Sequence, residues 1–297
     1  MPFAVCICNP RAGRALSGPE EVESRLAALG YSVEFKPTEY RLHALELAKK
    51  AVVDNADLVI AAGGDGTINE VACGLALTRV PLAILPCGTA NVLAKEIRLP
   101  RRVSDSIDLI PQLRPMRIAL GSGGSRSFVL MAGVGIDAEI VYDLRAAMKR
   151  TFGVGGFWLE ALRHWTSYRF SPFDVNVDGE SFRATFAIVG RAAWYAGGVR
   201  ITPRADLTGG SFDLCLFQGR SRLDYLRYLS GVLTGTHPHF HDVVYKQGTR
   251  IEMTADVSIR VQMDGEAAGV LPMTFEVVPD ALTLLVPDQD WKFSGGF

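Results

Sequence analysis

The run Ala62-Gly-Gly-Asp-Gly-Thr-Ile-Asn-Glu-Val71 joins an apolar β-type segment, Asp57–Ala62, to a helical pattern over Ile68–Leu77. Glycines at such a junction let backbone N–H groups approach a ligand with no Cβ in the way. The helix N-terminus adds partial positive charge, so the turn suits a phosphate and is a candidate nucleotide site. A carboxylate here cannot be one more phosphate contact: Asp65 orders the turn, holds a ribose or a water, or helps to position Mg2+. No Gly-Lys-Ser/Thr follows, so this is not a Walker A loop. A second constellation, Asp264-Gly-Glu266, sets two carboxylates at i and i+2 about a glycine, and both can face a cleft. Asp-Gly is also a common hairpin dipeptide. Asp178-Gly-Glu180 repeats the same three residues, so the tripeptide alone does not separate chemistry from a turn. His237-Pro-His-Phe-His241, with Asp242 beside it, lacks a further ligand at metal spacing and reads as a polar loop.

The elements around these motifs change character along the chain. Strand patterns at Phe3–Asn9, Tyr31–Pro37, Leu58–Ala62 and Val80–Leu85 alternate with helical ones at Glu20–Leu29, Leu42–Val53, Ile68–Leu77 and Val92–Ile97. Repeated βα units imply a parallel sheet buried on both faces. Ligands bind such sheets beyond the carboxyl ends of the strands. The loops 9–13, 63–67 and 87–91 all fall there. From Met116 the runs shorten and alternate, at Arg117–Leu120, Ser127–Gly133, Phe173–Val177, Ala184–Gly190, Phe212–Phe217, Arg250–Thr254 and Val257–Met263. That is antiparallel sandwich material. Helical insertions interrupt it at Ala138–Met148 with Phe157–Tyr168, and at Leu223–Leu233; the runs Met273–Val278 and Ala281–Val286 complete the sandwich or return to the first domain. The expected architecture is α/β plus β: a doubly wound parallel α/β nucleotide-binding domain over 1–115, a β-sandwich acceptor domain over 116–286, and a cleft between them. Residues 287–297 are candidates to return to the first domain.

Bulk properties narrow the function classes. The chain has 297 residues, a formal charge of −1 and 48% hydrophobic residues. That length and apolar content suit two domains with sizeable cores. The near-neutral charge argues against a nucleic-acid partner. The cysteines Cys6, Cys8, Cys73, Cys87 and Cys215 are scattered without metal-type pairing and read as reduced thiols of a cytoplasmic protein. No secretory signal is visible, and no apolar run reaches the ~18–20 residues that span a bilayer, so any contact with lipid is peripheral.

Five ordered motifs resemble the diacylglycerol kinase catalytic-domain family, which includes bacterial lipid kinases and the sphingosine and ceramide kinases. They are Asn9-Pro-Arg-Ala-Gly13, the 63–71 run with Pro86-Cys-Gly-Thr-Ala-Asn91, Ala132-Gly-Val-Gly-Ile-Asp-Ala138, Gly197-Gly-Val-Arg-Ile-Thr-Pro-Arg-Ala205 and Gln262-Met-Asp-Gly-Glu266. The resemblance implies ATP-dependent phosphorylation of a hydroxyl on a membrane lipid, with Mg2+. It assigns nucleotide contacts to Gly63, Gly64, Asp65, Gly66, Thr67, Ile68 and Asn69, to Gly88 and Thr89 of the second loop, to Thr38 and to Asn9. Asp264 matches the general base and Glu266 its polarising partner. A carboxylate in that role takes the proton from an alcohol, which is otherwise a poor nucleophile.

Two positions depart from the family. Its members carry Asp-Gly in the segment matching Leu207-Thr-Gly-Gly-Ser-Phe-Asp213, where the carboxylate joins backbone carbonyls around a structural Mg2+; this chain has Gly209. Asp206, with the carbonyls of Asp206 and Ser211, is what remains to hold a cation there. Asn91-Val92 replaces the more frequent Asn-Asp. Between Arg145 and Arg169, basic Lys149, Arg150 and Arg163 alternate with Phe152, Phe157, Trp158, Trp165 and Tyr168. Such a stretch docks at a lipid headgroup layer or packs into the second domain. The alternatives to a lipid kinase are an NAD kinase, which shares the Gly-Gly-Asp-Gly turn, and a non-catalytic nucleotide or lipid sensor. Diacylglycerol, phosphatidylglycerol and a sphingoid base all remain as acceptors, and a homodimer is left open.

Overall fold

The computed structural model describes residues 1–12, 19–147, 168–195 and 198–288. Two compact units form, one of Met1–Ala119 with Pro279–Phe297, the other of Leu120–Val278. The chain thus returns to the first unit at Pro279.

In the first unit, strands β1 (Phe3–Cys8), β2 (Ser32–Pro37), β3 (Leu58–Gly63) and β4 (Leu82–Pro86) alternate with helices α1 (Pro19–Ala28), α2 (His43–Val53), α3 (Asp65–Gly74), α4 (Val92–Glu96) and α5 (Val103–Leu109). The strands lie in the order β2-β1-β3-β4 and pair in parallel. Their carboxyl ends are level, because Cys8 is in register with Pro37 and Ala62, and Gly63 with Pro86. Alternate residues Cys6, Cys8, Ile60, Ala62, Leu85 and Cys87 pack with Val22 and Leu26 of α1 and Ile107 of α5. The other side chains of the same strands, Val5, Ile7, Val59, Ala61 and Ile84, are equally buried. Burial on both faces is why these strands read as continuous apolar runs. Helix α3 begins at Asp65 rather than Ile68, because its first turn is built by the polar residues Asp65-Gly66-Thr67.

Strand β5 (Arg114–Gly123) leads into the second unit. There β6 (Arg126–Phe128), β7 (Met131–Val134), α6 (Ile136–Ala147), β8 (Phe173–Val177), β9 (Glu180–Ala184), β10 (Phe186–Gly190), β11 (Phe212–Phe217), α7 (Arg222–Thr234), β12 (Val243–Gly248), β13 (Arg250–Thr254), β14 (Arg260–Met263), β15 (Glu266–Val270) and β16 (Met273–Val286) follow. One sheet runs β12-β11-β10-β7-β14-β15, and a second contains β9-β8-β13-β16. Their pairings are antiparallel. Phe128, Phe212, Phe275, Val175, Ile251, Val189 and Val261 form one core from strands of both sheets, which makes the unit a β-sandwich. The two C-terminal apolar runs are a single strand, β16, whose end pairs in parallel with β4 at Leu284 and Leu82. The basic and aromatic residues Lys149, Arg150, Phe152, Phe157, Trp158, Arg163 and Trp165 lie outside the described residues, as do Gly13 and Gly197. Among the described residues no helix is long and apolar enough to cross a membrane.

Candidate active site

The level strand ends of the first unit place Asn9 after β1, Thr38 after β2, the 63–67 turn after β3 and the 87–91 loop after β4, all at one edge of the sheet. The two glycine loops lie against each other. A Cβ at Gly88 would stand 2.5 Å from the Gly64 Cα, and one at Gly63 would stand 2.6 Å from the Thr67 Cβ. Neither fits, so both loops present bare backbone, as a phosphate cradle requires. Gly64 is the extended residue that caps α3, and having no side chain it makes no cap hydrogen bond of its own.

The side chains around the cradle hold it in shape. The Asp65 carboxylate accepts from the amides of Val92, at 2.6 Å, and Leu93, at 3.4 Å, and so ties the first loop to the start of α4. Burial raises the Asp65 pKa, and those amides oppose the rise. Asn91, left-handed at φ 47, accepts from the Gly88 amide at 2.8 Å and donates to the Gly88 carbonyl at 2.7 Å. Asn9 donates to the Thr67 hydroxyl at 3.3 Å, while the Thr38 amide donates to the Cys8 carbonyl at 2.8 Å. Ile68 and Asn69 are buried, whereas Gly66 and Thr89 are exposed. Thr89 is therefore accessible to a ligand, whereas the Gly88 amide is taken by Asn91 and the Cys87 amide by the Gly63 carbonyl at 3.0 Å. Asn69 serves the helix, accepting from Cys73 Sγ at 3.4 Å. Cys6, Cys8 and Cys87 are buried thiols whose pKa values burial raises.

In the second unit, Asp264 and Gly265 form the turn between β14 and β15, with φ 48 and φ 75. Positive φ at both central residues defines a type I′ hairpin. The Asp264 carboxylate accepts from three successive amides, Val129 at 2.6 Å, Leu130 at 2.9 Å and Met131 at 2.9 Å. These fix its orientation. Glu266 opens β15, with Arg126 3.7 Å away. One residue before the turn's Met263, Gln262 accepts from the Gly265 amide at 2.7 Å and donates to Asp137 at 2.6 Å. Asp137 also accepts from the Tyr195 hydroxyl. This buried Asp137–Tyr195–Gln262 group is not singled out as chemistry by the sequence. The signal for it is Gly133 four residues before Asp137: a Cβ there would stand 1.7 Å from the Asp137 carboxylate. Burial raises the Asp137 pKa against those two hydrogen bonds.

Beside this group lies an apolar pocket lined by Ile136 and Ile140 of α6, Phe186, Ile201, and Tyr225, Leu229 and Val232 of α7, with Asp137 and Tyr195. Apolar lining with a few convergent polar groups suits a ligand that carries an aliphatic portion. Elsewhere, Asp206 accepts from the Thr208 amide at 2.8 Å and hydroxyl at 2.7 Å, and the Ser211 carbonyl accepts from Arg191 at 2.6 Å. His237 is core: it is 1% exposed, with Nε2 at 2.8 Å from the Tyr245 hydroxyl. Among the described residues, no three His, Cys, Asp or Glu side chains gather as a metal site.

Comparisons with known proteins agree with these two halves. Residues 4–122 match the diacylglycerol kinase catalytic domain, and residues 131–286 match the YegS C-terminal NAD kinase beta sandwich-like domain. The chain is 28% identical over 296 residues to a diacylglycerol kinase of Bacillus subtilis, covering 97% of this chain and 98% of that one. It is 26% identical over 289 residues to a diacylglycerol kinase of Staphylococcus aureus, covering 95% and 92%. A crystal structure of a candidate diacylglycerol kinase from Bacillus anthracis superposes with a TM-score of 0.79 at 19% identity, covering 97% of each chain. At that identity the superposition speaks for the fold. The chain belongs to the diacylglycerol kinase catalytic-domain family and is a lipid kinase.

Proposed function

We propose that the protein transfers the terminal phosphoryl group of ATP to the hydroxyl of a diacylglycerol-type lipid at a membrane surface. The observation that carries the donor half is the packing of Gly64 on Gly88, which keeps any side chain from between two adjoining glycine loops at the start of α3. The acceptor class is supported by the names of the full-length relatives and by the apolar pocket of the second unit.

Phosphoryl transfer depends on positioning and charge neutralisation more than on covalent help. The amides at 64–67 and that of Thr89 would hold the phosphates, with Asn9, Thr38 and the Thr89 side chain at the same end of the sheet, while the Gly88 amide, held by Asn91, shapes the second loop. Mg2+ would come with the nucleotide and neutralise phosphate charge. Asp264, its carboxylate oriented by the Val129, Leu130 and Met131 amides, would take the proton of the lipid hydroxyl. Glu266 would polarise it.

The test is a labelled-ATP assay against mixed micelles of diacylglycerol, phosphatidylglycerol or a sphingoid base, with NAD as control acceptor. Phosphate should enter the diacylglycerol micelle; phosphorylation of NAD alone would overturn the reading. Gly88→Ala should separately weaken ATP binding by about tenfold or more, since its methyl needs space that Gly64 occupies.

A further inference from the structure

The 206–211 loop of the second unit turns three backbone carbonyls toward one point, and a side chain already stands there. Arg191, directly after β10, donates from Nη1 to the Ser211 carbonyl at 2.6 Å. Its Nη2 donates to the carbonyls of Leu207 at 2.9 Å and Gly209 at 2.7 Å. The residue is 0% exposed, and its guanidinium carbon lies 5.9 Å from the Phe212 ring centroid. Its backbone is anchored as well, the Arg191 amide donating to the Leu130 carbonyl at 2.7 Å.

A hard divalent cation selects charged oxygen ligands in quantity. The loop does not offer them. Position 209 is a glycine, and the Asp206 carboxylate is engaged with Thr208 in its own turn. The Asp206 carbonyl receives the Gly209 amide at 3.1 Å. What is left is neutral carbonyl oxygen, and a guanidinium is well suited to it: a delocalised, weakly hydrated cation with five donors in a planar fork. Burial lowers the Arg191 pKa to about 10, the nearby Asp206 charge acting in the opposite direction, so the side chain stays charged at neutral pH.

We infer that Arg191 is a built-in cation that holds the 206–211 loop where related kinases would use a divalent ion, so that this loop neither needs nor binds a metal. The role is independent of which lipid is phosphorylated. It makes the second unit's fold indifferent to chelators, and the cost of keeping a buried charge is met within the chain rather than by the medium.

Thermal unfolding of nucleotide-free protein tests this without reference to catalysis. Wild type should melt at the same temperature in excess EDTA and in excess Mg2+; a lower Tm in EDTA overturns the inference. Arg191→Met should lower Tm on the order of 10 °C, equally with and without Mg2+. A wild-type-like Tm overturns it. The third protein, Arg191→Met with Gly209→Asp, restores a carboxylate to the loop. Gly209 does not sit at positive φ, and a Cβ there meets Asp206 Cβ at 3.3 Å, a contact that a small shift relieves. Mg2+ should raise the Tm of this double variant, and EDTA should reverse the rise. A double variant indifferent to Mg2+ overturns the inference. If Arg191→Met does not fold, the wild-type EDTA comparison and the double variant expressed in Mg2+ still decide the matter.

Discussion

The tripeptide Asp-Gly-Glu occurs twice in the second unit, and both copies build the same object. Asp178-Gly179 has φ 47 and φ 97, Asp264-Gly265 has φ 48 and φ 75, and each pair turns one hairpin. Each glycine amide donates to a side-chain carbonyl three residues back, Asn176 at 2.9 Å in one and Gln262 at 2.7 Å in the other. Both aspartates bond to backbone amides of a neighbouring segment: Asp178 accepts from Thr249 and Arg250, each at 2.9 Å, and Asp264 accepts from residues 129–131. Local geometry therefore does not mark the catalytic candidate. The surroundings do. Asp178, Gly179 and Glu180 are all exposed, whereas Gln262 carries the second turn into the buried Asp137–Tyr195 pair and the apolar pocket beside it.

The comparison breaks most sharply on paired substitutions. Asp264→Asn should lower lipid phosphorylation by roughly 100-fold or more while nucleotide binding persists. Asp178→Asn should leave turnover within about twofold. Similar losses in the two variants, in the labelled-ATP assay, would mean that Asp264 is only a turn residue.

Stability should divide the turns next. Gln262→Met strands a buried Asp137 oxygen and the Gly265 amide, at a cost of about 1–3 kcal/mol. Asn176→Ala, at the exposed turn, should cost under about 1 kcal/mol. Urea midpoints at constant m-value would show the difference.

The pH dependence should have opposite signs. The Thr249 amide and further bonds hold the Asp178 pKa below the ordinary value. Its stabilisation is therefore present above the unfolded pKa of about 3.9 and lost as pH falls through the lower folded value. Burial raises the folded pKa of Asp137. Its contribution is full below about pH 3.9 and lost as pH rises through the folded value. Midpoints measured across acid pH should show wild type losing its advantage over Asp178→Asn on acidification. Against Asp137→Asn, wild type should lose ground as pH rises. The smallest effect is expected for Glu180→Ala, which removes a 2.9 Å ion pair with Lys246 at the surface. About 0.5 kcal/mol or less is expected, and it should vanish in high salt.

How far the sequence reaches depends on burial. The parallel strands are plain in Val-Ile-Ala-Ala and Ala-Ile-Leu-Pro because both faces are covered. The strands that pass unseen are β9, β12 and β15, with Glu-Ser-Phe-Arg-Ala, Val-Val-Tyr-Lys-Gln-Gly and Glu-Ala-Ala-Gly-Val. All three lie at sheet edges, where one neighbour is missing and polar residues blunt the edge. The close packing of the two glycine loops is legible from glycine spacing. The buried polar group behind Asp264 is not, because Asp137, Tyr195 and Gln262 are far apart in sequence, and the motifs that contain Asp137 and Gln262 do not say that their side chains meet. Arg191 escapes for a similar reason: its partners are backbone carbonyls, which carry no residue identity.

The wall between the two glycine loops is one backbone thick. With Gly64 and Gly88 at closest approach, the spacing between their amide rows cannot be retuned by exchanging side chains, which any addition would push apart. Changes in the donor that this enzyme accepts would have to come through exposed positions such as Gly66 and Thr89, where variation leaves that spacing untouched.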